Sequence, residues 1–190
     1  ERMLEGRLVN LRSQEVSDAE RMHRWINDRE VTATLGNRYL WSLAAEEEFL
    51  RNRVSKAPTF ENQSFAIETT EGRHIGSTGL HRIAPENRNG ELGIMIGEKD
   101  CWSQGYGTDA IITLLRFAFG EMNLHRVELH VYADNERGIA CYRKCGFAEE
   151  VRLRQFRYRA GHWIDGLEMG VLKREFEALH GLLAKEETHA

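Results

Sequence analysis

Two closely spaced glycines at the junction of two apolar segments constrain the fold more than any other feature of the sequence. Residues 91–97 alternate apolar side chains with others, which predicts a β-strand. Residues 108–121 carry apolar side chains almost all round, which predicts a helix buried against a sheet. Gly105 and Gly107 lie between the two segments. A strand, a glycine loop and a buried helix in succession indicate a mixed α/β architecture.

The loop around Gly105, Tyr106 and Gly107 has two interpretations. Glycines remove side chains, so backbone N–H groups can converge on one point in front of the positive N-terminus of the helix, which favours a phosphate-binding site. The simpler interpretation is a tight turn that needs a positive φ angle. The loop alone leaves both open.

A dinucleotide-binding fingerprint is a competing interpretation of the same residues. Residues 105–110 match the pattern G-x-G-x-x-A. That fingerprint follows its strand directly, whereas residues 98–104 intervene here. The acidic residue that would bind the ribose should close the next strand, and the nearest candidate, Glu128, lies in the middle of one. A nicotinamide dinucleotide-binding protein is therefore the less favoured alternative.

The rest of the chain predicts about seven strands and several helices, in the order β-α-α-β-β-β-α-β-α-β-β. The strands are expected at 6–12, 62–69, 74–83, 91–97, 126–132, 148–158 and 163–172. Helices are expected after Ser17, which begins a capping box with Glu20, after Ser42, at 108–121, from Asn135 to a C-terminal cap at Gly146, and at 173–183. Hairpins combined with one crossover predict a mixed, mostly antiparallel sheet flanked by helices. We expect a single domain over 1–190, with a core at about 6–175 and a tail at 176–190.

Composition excludes several classes of function. The 190 residues are 41% hydrophobic and 29% charged, and the net charge is −4, so no basic field for nucleic acid is expected. No apolar stretch reaches the about 20 residues of a membrane span. Three cysteines, an odd number, favour a reducing cytoplasm over a disulfide scaffold. Cys141 and Cys145 lack a histidine pair at ligand spacing, so no metal is expected.

Two motifs together resemble the GNAT superfamily of N-acetyltransferases. Residues 102–107, WSQGYG, are similar to the family pattern Gln/Arg-x-x-Gly-x-Gly/Ala, with Trp102 as a departure at the first position. Residues 135–147 are similar to the family segment Asn-x-x-Ala-x-x-x-Tyr-x-x-x-Gly-Phe, with Gly138 where Ala is usual. The branch that the chain resembles contains ribosomal-protein N-terminal acetyltransferases and spermidine N-acetyltransferases, and the resemblance covers residues 6–175.

This resemblance implies an enzyme that transfers an acetyl group from acetyl-CoA to a primary amine by direct attack through a tetrahedral intermediate. It places the pyrophosphate on the glycine loop and the pantetheine arm along the edge of the preceding strand. The residues expected to hold acetyl-CoA are Met95, Ile96, Gly97, Gln104, Gly105, Tyr106, Gly107, Thr108, Asn135, Ile139 and Tyr142. Asn135, Ile139 and Tyr142 also share one helix face by their spacing.

Tyr142 matches the residue that serves as general acid for the departing thiolate in the family. Its alternative role is that of a buried tyrosine packed before the glycine cap, and Asn135 could likewise be only a helix cap. A base must also take a proton from the acceptor, because a charged ammonium is a poor nucleophile. His130 and Glu91 are the candidate bases, and each could instead be an ordinary polar residue of a strand face.

The acceptor is not identified by the sequence. Small amines and peptide N-termini both fit, and Glu46, Glu47 and Glu48 could line a pocket for a cation or a solvated helix face. Four arginines between 152 and 159 could attract an anionic partner, although a surface strand, a homodimer contact or pairing with acidic segments is favoured. A non-catalytic acyl-CoA-binding regulatory module is the alternative function.

Overall fold

The computed structural model describes residues 4–182 as a mixed α/β fold around one eight-stranded sheet. The order across the sheet is β1-β2-β3-β4-β5-β6-β8-β7, and every neighbouring pair is antiparallel except β5 and β6. The strands are β1 (Leu4–Glu5), β2 (Val9–Ser13), β3 (Gln63–Thr69), β4 (His74–Ala84), β5 (Asn89–Ile96), β6 (Arg126–Tyr132), β7 (Ala148–Arg159) and β8 (His162–Leu172). The predicted fold class is confirmed.

Six α-helices flank this sheet in the described part of the chain. They are α1 (Ala19–Ile26), α2 (Arg29–Thr32), α3 (Leu43–Val54), α4 (Tyr106–Arg116), α5 (Glu136–Lys144) and α6 (Lys173–His180). A π-helical segment over Phe117–Glu121 extends α4. None of the helices over residues 4–182 is long and apolar enough to cross a membrane. The predicted tail beyond residue 182 lies outside the described residues.

The N-terminal region departs from prediction in two places. The single strand expected at 6–12 is two short strands, because the N–H of Gly6 donates to the carbonyl of Val9 and turns the chain between them. The helix expected to begin at Ser17 begins at Ala19 after a short 3₁₀ turn. The Asp18 carboxylate makes no capping bond to α1; it accepts the backbone N–H of Glu15 and so stabilises the 3₁₀ turn that precedes the helix.

Strands β5 and β6 are paired over only three residues each, and this separation creates the central opening of the sheet. Glu91 pairs with Glu128, and no pairing between the two strands is found beyond that point. β5 continues to Ile96 with β4 as its partner on the other side only. The edge of β5 facing β6 is therefore free to accept backbone hydrogen bonds from a ligand.

The two faces of the sheet bury different clusters. On one face, α4, α5 and α6 pack on alternate strand residues, with Phe119 and Phe176 fully buried and in mutual contact. On the other face, α1 and α3 enclose a smaller cluster around Trp25 and Leu50. The residue alternation of the strands sends apolar side chains toward the first face and leaves polar ones near the second.

Candidate active site

A cleft of about 340 Å³ lies at the opening between β5 and β6. We call it the central cleft; α4 and α5 contribute much of its lining. Seven of the residues predicted to hold acetyl-CoA line it: Met95, Ile96, Gly105, Gly107, Thr108, Asn135 and Tyr142. Two distant sequence motifs therefore meet in one cavity.

The glycine loop delivers free backbone donors to the central cleft. Gly105 is the N-cap of α4 and has a φ of +90°, a left-handed conformation that glycine adopts without strain. No side chain caps the helix, and Asp109 makes the first helical hydrogen bond to the carbonyl of Gly105. The N–H groups of the preceding helical residues have no partner within the helix. The tight turn is confirmed at Gly105, and the phosphate-binding interpretation of the loop stays a prediction.

Helix α5 presents the second motif to the same cavity. The side-chain oxygen of Asn135 accepts the N–H of Gly138 at 3.0 Å, so Asn135 is a helix cap while it lines the central cleft. Burial raises the pKa of Tyr142 above its usual range, and the neighbouring thiols of Cys141 and Cys145 add to the rise. The Tyr142 hydroxyl therefore stays protonated throughout the physiological range.

Arg137 and Lys144 are cationic residues of the central cleft that the sequence reasoning missed. The guanidinium of Arg137 lies 3.9 Å from the ring centre of Trp102, and the Trp102 indole N–H donates to the carbonyl of Ile96 at 2.8 Å. Trp102, the departure from the family pattern, therefore forms a platform that holds Arg137 at the cleft. Both cations stand near the glycine loop, where phosphate charge would need them.

Four predicted residues do not line the central cleft. Gly97 packs on Trp25, since a Cβ at Gly97 would fall 2.0 Å from that ring, and its N–H donates to Ile75. Gln104 is exposed and bonds to the carbonyl of Asp100. The remaining two, Tyr106 and Ile139, pack against the core. Their contribution is to position the loop and α5.

The two candidate bases lie together, outside the central cleft and on the opposite face of the sheet from α5. Nδ1 of His130 is 3.3 Å from the Glu91 carboxylate, and Nε2 is 3.2 Å from the carboxylate of Glu168 on β8. The ring of Phe156 stacks on His130 with a centroid separation of 6.5 Å. We call these four residues the histidine cluster. It stands where β5 and β6 begin to separate.

The three consecutive glutamates of α3 line neither cavity found in the described residues. Glu47 is half-buried and Glu48 is exposed, whereas Glu46 is only 1% exposed and its Oε2 has no hydrogen-bond partner among the described residues. Burial raises the pKa of Glu46, partly opposed by the charges of His23 and Arg53. The glutamates therefore give no support for an acceptor pocket on α3.

The cysteines are all free thiols, and Cys141 lies beside the Oγ1 of Thr108 at 3.3 Å. Over residues 4–182, no group of three or more histidine, cysteine, aspartate or glutamate side chains is arranged to hold a metal ion. Acid–base side chains and backbone donors are the chemical groups that the site offers.

A cleft between separated strands of a mixed sheet, with an uncapped helix N-terminus beside it, is typical of proteins that bind a phosphate-bearing ligand. The particular family is the GNAT acetyltransferases, to which the chain belongs: the family model described as the acetyltransferase (GNAT) domain matches residues 8–148. The resemblance inferred from the two motifs is confirmed, and with it acetyl-CoA as the co-substrate of the family.

Several characterised and uncharacterised relatives agree with this assignment. Spermidine N(1)-acetyltransferase of Vibrio cholerae is 25% identical over 168 residues, which cover 88% of this chain and 95% of the relative. An uncharacterised N-acetyltransferase p20 of Bacillus licheniformis is 26% identical, covering 88% and 94%. A crystal structure of the Vibrio cholerae spermidine N-acetyltransferase in complex with CoA and spermine superposes with a TM-score of 0.80 at 26% identity, covering 89% of this chain and 98% of that one.

Proposed function

We propose that the protein acetylates a cationic primary amine with acetyl-CoA, and that the amine enters on the face of the sheet that carries the histidine cluster. The observation that carries the proposal is the opening between β5 and β6, with Tyr142 on one face and His130 on the other. Acetyl-CoA, when bound, supplies the acetyl group as a reactive thioester. This chain supplies the binding contacts and the proton carriers.

The residues present fit acetyl-CoA by their chemistry. Free N–H groups at the start of α4, together with Arg137 and Lys144, suit the pyrophosphate. The edge of β5 at Met95 and Ile96 has no strand partner on the β6 side. The Ile96 carbonyl accepts the Trp102 indole N–H, and the other backbone groups of this edge suit an amide-bearing arm, which would pair with it as an added strand. In this proposal a backbone N–H of the same edge would stabilise the negative charge that develops on the carbonyl oxygen.

Tyr142 is the proposed proton donor to the departing sulfur. Tyr142 lines the central cleft, and its raised pKa keeps the proton on the oxygen until a thiolate develops nearby. Tyr142 gives this proton to the sulfur as the C–S bond breaks, and the proton that the attacking nitrogen loses as the amide forms returns to the Tyr142 oxygen.

The histidine cluster is the proposed site of proton removal from the amine. His130 accepts the proton, and Glu91 and Glu168 on either side stabilise the imidazolium that forms. The same two carboxylates attract a positively charged acceptor before reaction. The spermidine acetyltransferases among the relatives support a polyamine, and peptide N-termini are the second acceptor class.

The test is an acetyl-CoA consumption assay that follows thiol release with three acceptor panels: polyamines, peptides with free N-termini, and amino sugars. We expect turnover with polyamines that increases above neutral pH, where more of the amine is unprotonated. The variant that tests the base is His130→Gln, which keeps hydrogen-bonding capacity but cannot carry a proton. We expect it to lower kcat about 10- to 100-fold.

Turnover with peptides alone would show that the proposed acceptor class is wrong, while the protein would still be an acetyltransferase. CoA binding without transfer to any acceptor would instead identify a non-catalytic acyl-CoA-binding module. An unchanged kcat in the His130→Gln variant would remove His130 as the base.

A further inference from the structure

Two arginines near the end of β7 hold the connection between α2 and α3. Arg157 donates from Nη2 to the carbonyl of Gly36, and Arg159 donates from Nη1 to the carbonyl of Ala33. We call residues 33–38 the clamped segment. Its sequence distance from β7 exceeds 120 residues for both contacts, so these are tertiary restraints and not local turns.

The clamped segment also donates a hydrogen bond back to β7, and two of its residues line the central cleft. Arg38, inside the clamped segment, donates to the carbonyl of Tyr158 at 2.8 Å. Thr34 and Leu35, from the same segment, line the central cleft together with Asn135. The arginines of β7 thus act on one wall of the candidate active site without lining it.

Arg159 also holds the wall opposite. Its second nitrogen donates to the carboxylate of Asp134, the residue that precedes the N-cap Asn135 of α5. The guanidinium stands 5.8 Å from the ring centre of Tyr132 on β6. A planar guanidinium can bond in two directions at once, which a lysine ammonium cannot do with the same geometry. One side chain therefore joins the clamped segment to the start of α5.

A bulge in β7 shifts the position of the two arginines along β8 by two residues. Leu153 pairs with Gly166 and Arg157 pairs with Ile164, so four steps on β7 match two on β8. Gln155 within the bulge has a φ of +51°, and its N–H donates to the Asp165 carboxylate at 2.9 Å. Bulges of this kind redirect side chains next to active sites.

We propose that Arg159 is a positioning residue that fixes the separation between the clamped segment and the start of α5, and so determines the affinity for an acceptor amine that must reach the central cleft past this segment. The inference rests on the proposed function for its kinetic consequence. It also gives the arginine-rich strand a role within its own molecule, where the sequence suggested an anionic partner, a surface strand or a dimer contact.

The kinetic test compares Arg159→Met with Arg154→Met. Arg154 is exposed on the same strand, and among residues 4–182 its one recorded interaction is the electrostatic attraction of its charge to the Asp165 carboxylate. We expect Arg159→Met to raise KM for the amine about fivefold or more, and by a larger factor than KM for acetyl-CoA, with kcat within about twofold. Arg154→Met should match the wild type, and Arg159→Lys should fall between the two.

A second measurement keeps the inference independent of acetyl transfer. Hydrogen exchange at the amides of the clamped segment should accelerate in Arg159→Met and in Arg157→Met, but not in Arg154→Met. Unchanged exchange at these amides, or an amine KM equal to that of the wild type, would overturn the positioning role. A wild-type protein that transfers acetyl to no amine would contradict the proposed function, while the exchange comparison would still decide the clamp.

Discussion

Tyr142 gives the sharpest residue-scale prediction, because a single oxygen separates it from phenylalanine. Replacing Tyr142 with Phe keeps the packing against Phe147 but removes the proton that the departing sulfur needs. We expect kcat to fall about 10-fold or more, with CoA affinity within about twofold. Steady-state kinetics and CoA titration measure the two quantities separately.

The control for that prediction is Tyr39→Phe, because Tyr39 is 79% exposed. It should leave kcat and CoA affinity unchanged. A Tyr142→Phe enzyme with full turnover would mean that the proton reaches the sulfur from solvent, and Tyr142 would then be a packing residue only.

At the scale of single residues, the sequence predicted some members of the candidate site and missed others. Tyr142, Asn135 and Gly105 were predicted to meet, because their motifs specify local geometry that survives folding. Arg137 could not be recognised, since its role depends on the Trp102 ring across the cleft. Gly97 was misplaced for the same physical reason: close packing against another element is invisible in a strand pattern.

At the scale of elements, alternation and caps predicted most strand and helix positions. Residues 126–132 match β6 at both ends, and Ser42 caps α3 by accepting the N–H of Ala45. Alternation has a fixed period and caps are local, so both can be read without tertiary information. The four-residue helix α2 was not predicted, because a segment this short carries too few residues to express a period.

The contact between α1 and the sheet depends on Asp18, which gives a prediction for acid stability. Burial alone would raise the pKa of Asp18, but hydrogen bonds from Arg12 and His74 outweigh it and hold that pKa well below its ordinary value. A lowered pKa stabilises the fold above the ordinary titration range of a carboxyl, and the stabilisation is lost as pH falls below about 4.

We expect Asp18→Asn to lower the free energy of unfolding at pH 7 by about 2–4 kcal/mol, because it removes the negative charge that pairs with the buried Arg12 guanidinium. The variant should also lose less stability than the wild type between pH 5 and pH 3, a window taken from the ordinary carboxyl range. Urea unfolding across this range measures both effects. Glu20→Gln, an exposed change on the same helix, is the control, and equal acid dependence in Asp18→Asn and wild type would contradict the assignment.

For the whole molecule, the decisive feature is that the sheet is interrupted at its centre. Because β5 and β6 pair over only three residues, part of a backbone edge is left unpaired inside the fold. A continuous sheet would form hydrogen bonds at this edge. A ligand that supplies amide groups along this edge completes the sheet. Cofactor binding and global stability should therefore be linked.

Thermal unfolding with and without CoA measures this linkage. At a CoA concentration about 100 times Kd, binding to the folded state alone adds about 2.7 kcal/mol, which corresponds to a Tm increase of roughly 5–10 °C for a chain of this size. Arg137→Met should keep the Tm of the free protein but reduce the CoA-induced increase, because a cation of the phosphate end is lost. NAD at the same concentration is the control ligand, and an increase with NAD but none with CoA would favour the dinucleotide alternative for the glycine loop.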